Sequence, residues 1–260
     1  MNSPIILFRK DRLTKEELSI ASGYFSVTES RINVQDKLVI GRYSVLPYYH
    51  ELERDLSLQK SILINSYQQH LYIADFEYYE DIKEFTPITY FDLRDVPDKG
   101  PFVVKGKTNS KKNQWDKMMF AENKRQAVQI ACDLKLDSML QQQDIIVREY
   151  VPLKTLEKGI SGLPFTNEWR FFVLYGRIVS YGFYWQDLTE KGGTINEDAL
   201  HLVERVIERV KDKVNFVVID VAQKENGDWI VIELNDGQCS GLSGNSAEVL
   251  YKNMADIIKK

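Results

Sequence analysis

The sequence has 260 residues, of which 43% are hydrophobic and 28% are charged, a composition typical of a folded globular chain. It has 34 basic and 38 acidic residues, and the resulting net charge of −4 argues against a protein that coats nucleic acid. With two cysteines and three histidines at no metal-ligand spacing, it offers neither a disulfide framework nor a cysteine-rich or histidine-built zinc site. No apolar stretch approaches the roughly 20 residues of a membrane span, and the first ten residues do not resemble a signal peptide. We therefore expect a cytoplasmic protein.

The N-terminal part of the chain predicts a small mixed α/β domain. Three short strands and two helices are predicted there, at residues 5–8, 13–21, 38–40, 48–56 and 61–64. Residues 92–100 (DLRDVPDKG) are rich in turn formers. We therefore place a domain boundary after residue 96.

Strand and helix patterns are clearer after this boundary. Apolar runs predict strands at residues 101–105, 145–151, 168–175, 177–184, 216–221 and 229–234. Apolar residues at helical spacing predict helices at residues 124–136, 196–210 and 246–258, the last with Ser246 as its N-cap. Hairpins combined with a few helices are typical of an α+β fold.

The most informative feature is a predicted hairpin that carries acidic residues. If Asn226-Gly227 is a two-residue turn, Glu225 faces Asp228 and Asp220 faces Glu233. Asn235 then lies on the same face as Glu233, diagonal to Asp220. Two opposed carboxylates repel each other unless a cation lies between them, and three oxygen-bearing groups suit magnesium. The opposite face would be core, with Ile219, Val221, Ile232 and Leu234.

An alternative for this hairpin is that Asp220 and Glu233 simply pair with nearby lysine or arginine. The residues that follow, 237–244 (GQCSGLSG), are small and rich in glycine. Such a segment lets the backbone approach a ligand closely, although it could also be a flexible connector.

A basic stretch at residues 99–125 carries eight basic and two acidic residues. Lys105 lies in a predicted strand, and Lys111 and Lys112 lie in a polar loop, NSKKN. Lysines bind phosphates as point charges, so this stretch predicts a polyphosphate site. The alternatives for this basic stretch are an ordinary solvated surface and an RNA-binding strip. The segment is not a Walker A loop, because five residues separate Gly100 from Gly106 where the motif has four.

Two arginines lie within predicted strands, where a carboxylate or phosphate partner is expected. Arg148 interrupts IIVREYV, and Arg170 alternates with Glu168 on one face of its strand. Internal pairs of Arg170 with Glu168 or of Arg148 with Glu149 are the alternative. The apolar segment that follows Arg148, YVPL, could form an adenine-binding hinge.

In this order, the motifs resemble those of the ATP-grasp superfamily. PFVVKG resembles its first lysine strand, IIVREYVPL its hinge strand, EWRFFVLYGRIVSYGFYW its central hairpin and VIDVAQKENGDWIVIELND its metal hairpin. More narrowly, the chain is similar to the clade named for one arginine and two lysines. It is also similar to the eukaryotic cell-division-cycle protein that assists assembly of a translation initiation factor. The resemblance covers roughly residues 97–244.

This resemblance implies an α+β ATP-grasp fold with two lobes gripping the nucleotide, at residues 97–150 and 151–260, preceded by the domain at residues 1–96. It implies ATP and Mg²⁺ as cofactors. It also implies a site composed of nucleotide-binding, metal-binding and catalytic residues: Lys105, Lys111 or Lys112, Arg148, Glu149, Tyr150, Val151, Asp220, Glu233, Asn235 and Arg170. On this interpretation Asp220→Asn abolishes turnover and leaves the fold intact.

The implied activity is ATP-dependent ligation of a carboxylate and an amine through an acylphosphate. The substrate would be a peptide, a protein or an amino-acid-like molecule, and the segment 154–167 could shape the acceptor pocket. The alternative is an assembly factor that binds Mg-ATP and a protein partner without catalysis. The lack of His-Arg-Asp and Asp-Phe-Gly motifs argues against a protein kinase, and membrane and nucleic-acid partners are not expected.

Overall fold

Three four-stranded sheets and a two-stranded ribbon organise the chain in the computed structural model, which describes residues 3–9, 15–45, 47–138 and 140–259. The first sheet is parallel, with strands β1 (Ser3–Phe8), β2 (Ser26–Thr28), β3 (Lys37–Arg42) and β4 (Ile62–Leu63) in the order β2-β1-β3-β4. Helices α1 (Lys15–Tyr24) and α2 (Tyr49–Ser57) connect its strands. The predicted α/β character is thus confirmed, while Leu13 and Thr14 of the first predicted helix lie outside the described residues.

The second sheet is antiparallel and carries the basic stretch. Its strands are β5 (Thr89–Tyr90), β6 (Lys99–Gly106), β7 (Phe120–Asn123) and β8 (Ile145–Glu149), in the order β5-β8-β6-β7. The connection between β6 and β7 contains a 3₁₀ turn and the short helix α5 (Trp115–Met118). Helix α6 (Lys124–Lys135) covers one face with buried Ala127, Ile130 and Leu134.

The third sheet is also antiparallel and carries the carboxylates. Its strands are β11 (Glu168–Leu174), β12 (Arg177–Phe183), β13 (Phe216–Gln223) and β14 (Trp229–Asp236), in the order β12-β11-β13-β14. Helices α7 (Glu197–Val210) and α8 (Ala247–Ile258) supply apolar faces to its two cores. Ser246 caps α8 by accepting a hydrogen bond from the Val249 amide, as predicted.

Several short elements were not predicted, among them β2, β5, β7 and α5. Helices α3 (Tyr67–Ala74) and α4 (Tyr79–Ile82) belong to the N-terminal part of the chain, yet Tyr72, Phe76 and Tyr78 pack into one core with α7 and the third sheet. Strands β9 (Thr155–Lys158) and β10 (Pro164–Thr166) form an antiparallel ribbon between the second and third sheets in sequence. The division at residues 96 and 150 stays a prediction, and β5, which precedes residue 96, pairs with β8 of the second sheet.

The β13–β14 hairpin pairs Asp220 with Glu233, as predicted, but its turn differs from the prediction. Lys224, rather than Glu225, faces Asp228, so the loop has three residues, and Gly227 takes a positive φ of 96°. A register shift between Asp220 and Val221 restores the predicted pairing farther along the strands. It also removes Ile232 from the core, where Val231 is buried in its place.

None of the helices in the described part of the chain combines the length and the apolar character that crossing a membrane requires.

Candidate active site

A cleft separates the second sheet from the third and is the centre of the candidate site. It holds about 870 Å³ of empty space that is continuous with solvent. Its apolar lining includes Val103, Trp115, Met119, Leu153, Leu163, Trp185 and Ile232. Its charged lining includes Lys105, Lys112, Arg148, Glu168 and Glu233. The cleft therefore joins an apolar surface suited to a planar base with a highly charged region.

Lys105 and Glu233 face each other across this cleft. The Lys105 ammonium on β6 forms an ion pair with Glu233 on β14, and the lysine is only 5% exposed. Burial lowers the pKa of Lys105, and Glu233 offsets part of that effect. Burial opposes ionisation of Glu233, but Lys105 and Lys112 together hold its pKa well below the usual range. Glu233 is therefore a carboxylate at neutral pH.

Asp220 is fully buried and is bound by Arg170 on the neighbouring strand. The guanidinium donates two hydrogen bonds to the carboxylate, from Nε at 2.9 Å and from Nη2 at 2.8 Å. The side chain of Asn235 lies 3.4 Å from Asp220 Oδ2, and its hydrogen bond to Glu233 helps to keep the pKa of that carboxyl low. The structure therefore brings Asp220, Glu233 and Asn235 together.

These three side chains fit a magnesium ion. They supply two carboxylates and an amide, and turning the Asn235 amide over presents its oxygen in place of its nitrogen. In the structure Glu233 pairs with Lys105 and Asp220 pairs with Arg170. These are contacts of the kind that the alternative prediction, pairing with lysine or arginine, describes.

The two lysines of the NSKKN loop lie in different surroundings. Lys112 lines the cleft and donates a hydrogen bond to the Tyr184 hydroxyl at 2.9 Å. Lys111 instead forms an ion pair with Asp137 at 2.6 Å and is not among the residues that line the cleft. Of the two, Lys112 is therefore placed to meet a phosphate in the cleft.

Glu168 is a site residue that the sequence suggested only as a partner of Arg170. It is 4% exposed and lines the cleft, and one of its carboxylate oxygens has no hydrogen-bond partner among the described residues. Thr166 donates to the other oxygen at 3.3 Å. Burial raises the pKa of Glu168 to about 7, although Lys112 opposes the shift. Its position two residues from Arg170, on the same strand face, was the available sequence signal.

Arg148 lines the cleft, and hydrogen bonds to three oxygen atoms fix its guanidinium group. It donates to Thr86 at 2.6 Å, to Thr89 at 3.1 Å and to the Ile232 carbonyl. Neither internal pair considered for the arginines forms, because Arg170 binds Asp220 and Arg148 binds these oxygens. Arg148 therefore connects the second sheet to the bulge in β14.

The predicted hinge follows β8 along the wall of the cleft. The Tyr150 amide donates to the Pro101 carbonyl at 3.0 Å, and the Glu149 carboxylate accepts a hydrogen bond from Tyr90 at 2.8 Å. Glu149, Tyr150 and Val151 all line the cleft. The hinge thus lies at the apolar part of the cleft, where an adenine would be expected.

The glycine-rich segment 237–244 is tied to the first sheet. The buried Arg42 donates to the carbonyls of Gly237 and Ser240, both at 2.8 Å, and pairs with Glu17 at 2.9 Å. Arg170 donates to the Gly241 carbonyl at 2.9 Å. The segment is therefore bound on both sides and is not a free connector.

Comparisons with known proteins agree with this architecture. Residues 93–254 match the ATP-grasp domain model for family 3 of the clade named for one arginine and two lysines. A search of curated proteins finds no match. Among solved structures, a RimK domain ATP-grasp protein from Sphaerobacter thermophilus has a TM-score of 0.65 at 15% identity, over 99% of this chain and 100% of that one.

Two further structures are similar over nearly the whole length. The D-cycloserine synthetase DcsG has a TM-score of 0.63 at 11% identity, over 97% of this chain and 99% of that one. An ATP-grasp ligase associated with ribosomally synthesised peptides (RiPPs), from Chryseobacterium gregarium, was solved with ADP and a leader and core peptide. It has a TM-score of 0.57 at 12% identity, over 100% of this chain and 97% of that one.

The family match covers well over half of the chain, and its residues include both lysines, both arginines and the carboxylate hairpin of the cleft. The chain therefore belongs to the ATP-grasp ligases, enzymes that form carbon–nitrogen bonds at the expense of ATP, in the clade named for one arginine and two lysines.

Proposed function

We propose that this protein joins a carboxylate to an amine. The carboxylate takes the γ-phosphoryl group of ATP to form an acylphosphate, and the amine then attacks the acyl carbon and displaces phosphate to leave an amide. The observation that carries the proposal is the arrangement of charges in the cleft. Lys105 and Lys112 line one side of the cleft and Glu233 lines the other, with Asp220 and Asn235 beside Glu233 on the same hairpin. Transfer of a phosphoryl group requires alignment and charge neutralisation more than a covalent protein group.

Each part of the cleft has a role in this proposal. The adenine lies against the hinge and the apolar lining, which includes Val151, Met119 and Ile232. Lys105 and Lys112 hold phosphate oxygens as point charges. A magnesium ion held by Asp220, Glu233 and Asn235 would neutralise charge on the phosphates when bound. The side chains of Lys105, Asp220, Glu233 and Asn235 are all carried by strands.

Arg170 is placed to stabilise the transferring phosphoryl group or the acylphosphate. It lies beside Asp220 and also contacts the Gly241 carbonyl, so its position is fixed by both the metal hairpin and the glycine-rich segment. Arg148 positions the Ile232 carbonyl behind the cleft and adds positive charge there. We expect Arg170 to act on the reacting atoms and Arg148 to support the site from behind.

The acceptor in this proposal is a peptide, a protein or an amino-acid-like molecule. The structural similarity to the ligase solved with a leader and core peptide supports a peptide as the substrate. The similarity to the D-cycloserine synthetase supports a small amino-acid-like substrate. The β9–β10 ribbon contributes Thr155, Pro164 and Thr166 to the cleft lining, so the segment 154–167 is part of the nucleotide cleft itself.

The first test is ATP binding by calorimetry, with and without magnesium, on wild type and Lys105→Ala. Lys107→Ala is the matched control, because Lys107 lies near the same strand but pairs with Asp144 outside the cleft. We expect magnesium-dependent binding that is lost only in Lys105→Ala. Phosphate release on mixing ATP with candidate carboxylates and amines then tests ligation.

Either step can fail in a distinct way. If wild type does not bind ATP at millimolar concentration, the assignment of the cleft as a nucleotide-binding site is wrong. If it binds Mg-ATP but no amide product is detected by mass spectrometry with any acceptor, the non-catalytic assembly factor becomes the better description.

A further inference from the structure

A second group of potential metal ligands lies behind the candidate active site. His70 on α3, Asp236 at the end of β14 and Cys239 in the glycine-rich segment each place a ligand atom within 4.8 Å of the others. His70 and Cys239 are 169 positions apart, so their spacing in the sequence could not indicate this group. None of the three lines the nucleotide cleft.

The histidine is only partly satisfied in its buried position. His70 is 3% exposed, its Nδ1 lies 3.0 Å from Asp236 Oδ2, and its Nε2 has no hydrogen-bond partner among the described residues. Its ring stacks on Tyr49 with centroids 4.1 Å apart. Since Nδ1 is the nitrogen that faces Asp236, it is the atom that a metal ion shared with Asp236 would bind, with the ring proton then carried by Nε2.

Asp236 is already oriented by neighbouring groups. Its Oδ1 accepts hydrogen bonds from Asn65 and from the Gln238 amide, both at 2.9 Å, while Oδ2 faces His70. Hydrogen bonds of this kind orient a carboxylate that serves as a metal ligand. One oxygen is thus held by the protein, and the other is directed toward the group.

We propose that His70, Asp236 and Cys239 bind a zinc ion. Thiolate, imidazole and carboxylate together suit zinc, whereas magnesium prefers oxygen ligands alone. Zinc with one thiolate, one carboxylate and a neutral imidazole is a neutral unit, which a buried site favours. Binding breaks the S–H bond of Cys239, the sulfur keeps the electron pair for the metal, and the proton leaves to solvent.

The consequence of this site would be structural. It would join α3, the end of β14 and the glycine-rich segment at one point. The same segment carries the Gly241 carbonyl that contacts Arg170. Zinc would therefore fix the position of Arg170 from a site that ATP does not touch.

The test uses Co²⁺ as the probe, added without ATP to the metal-free protein. A cobalt ion bound by a thiolate gives sulfur-to-metal charge-transfer absorption, which oxygen ligands at Asp220 and Glu233 cannot give. We expect this band at one cobalt per chain in wild type and in Cys132→Ser, and its loss in Cys239→Ser. Cys132 is the matched control because it is an exposed thiol on α6.

Zinc competition completes the experiment. Zinc should displace the cobalt band, and His70→Gln should weaken zinc binding by at least about tenfold. The absence of a charge-transfer band in wild type would overturn the proposal, and so would an unchanged band in Cys239→Ser. Because neither readout depends on ATP or turnover, failure here leaves the ligase proposal untouched. If Cys239→Ser does not fold, the wild-type and His70→Gln titrations still decide the question.

Discussion

Lys105 and Glu233 form an ion pair across the cleft although they belong to different sheets. The pair keeps both charges compensated before a ligand enters. A phosphate that binds Lys105 takes the lysine away from Glu233 and leaves a carboxylate ready for another cation. The pair therefore explains how the site can be highly charged and still fold.

Removing the carboxylate of this pair should abolish activity and also lower the stability, because the buried Lys105 ammonium is left without its partner. Glu233→Gln preserves the size of the side chain but removes a charged group that the proposed metal site needs. We expect turnover to fall by at least about 100-fold, a loss typical of a single stabilising group. Steady-state phosphate release checks this, with Glu225→Gln as the control because Glu225 is exposed in the turn of the same hairpin. Equal activity in both variants would contradict the assigned role of Glu233.

Asp220→Asn should destabilise the protein as well as inactivate it. The sequence led us to expect an intact fold, but Asp220 is the bidentate partner of the buried Arg170. Breaking a buried pair at one side costs about 3–5 kcal/mol, because the remaining charge is left unpaired. Urea unfolding measures this free energy. A double variant, Asp220→Asn with Arg170→Gln, should recover part of the stability and none of the activity. Full stability of the single variant would show that the pair is not coupled.

Replacing the two loop lysines one at a time should separate their roles. Lys112→Met removes a cation from the cleft, and we expect ATP affinity to fall by about tenfold or more, in line with about 1.5–3 kcal/mol for a charged hydrogen bond. Lys111→Met breaks the pair with Asp137 and should change ATP affinity less than about twofold. Calorimetry on the two variants decides between them. The reverse order of effects would assign the phosphate contact to Lys111.

Glu168 should make stability depend on pH in a definite direction. Burial raises its pKa to about 7 in the folded protein, above the value of about 4.3 for an unfolded chain. Between these values only the folded state holds the proton, so the contribution of Glu168 to stability falls as pH rises and is lost above about pH 7.

The variant Glu168→Gln removes this dependence. Its free energy of unfolding should match that of wild type at low pH and exceed it by up to about 4 kcal/mol at pH 8, since each pKa unit corresponds to about 1.36 kcal/mol. Urea unfolding at pH 5 and pH 8 tests this, with the exposed Glu190→Gln as the control. A difference between Glu168→Gln and wild type that is the same at both pH values would exclude the titration.

The longer strands and helices could be predicted because their apolar patterns are local. Helix α7 shows apolar residues on one face, and β13 and β14 are nearly continuous apolar runs. Helices α3 and α4 were missed because Tyr67–Ile82 is rich in tyrosine without a clear helical spacing. Helix α3 packs against β14 and α4 against α7, and these long-range contacts are not encoded in the local sequence.

Most residues of the site could be predicted from the sequence, but which side chains pair with each other could not. The Asp220–Glu233 pair was predicted from a two-residue turn, but the turn has three residues and the pair forms because of the register shift beside Asp220. The Arg170–Asp220 pair depends on the register between β11 and β13. These strands are separated by α7, so no turn fixes their register. The difference between Lys111 and Lys112 depends on the position of Asp137, which a local pattern also cannot supply.

The register shift beside Asp220 separates the turn of the metal hairpin from its functional pairs. The turn begins at Lys224, and the shift lies between it and the Asp220–Glu233 pair. The turn is also bound to the wall of the cleft, because Lys224 pairs with Leu153 and the Glu225 amide donates to the Pro152 carbonyl at 3.1 Å. One hairpin therefore supports the proposed metal site at its strands and the segment after the hinge at its turn.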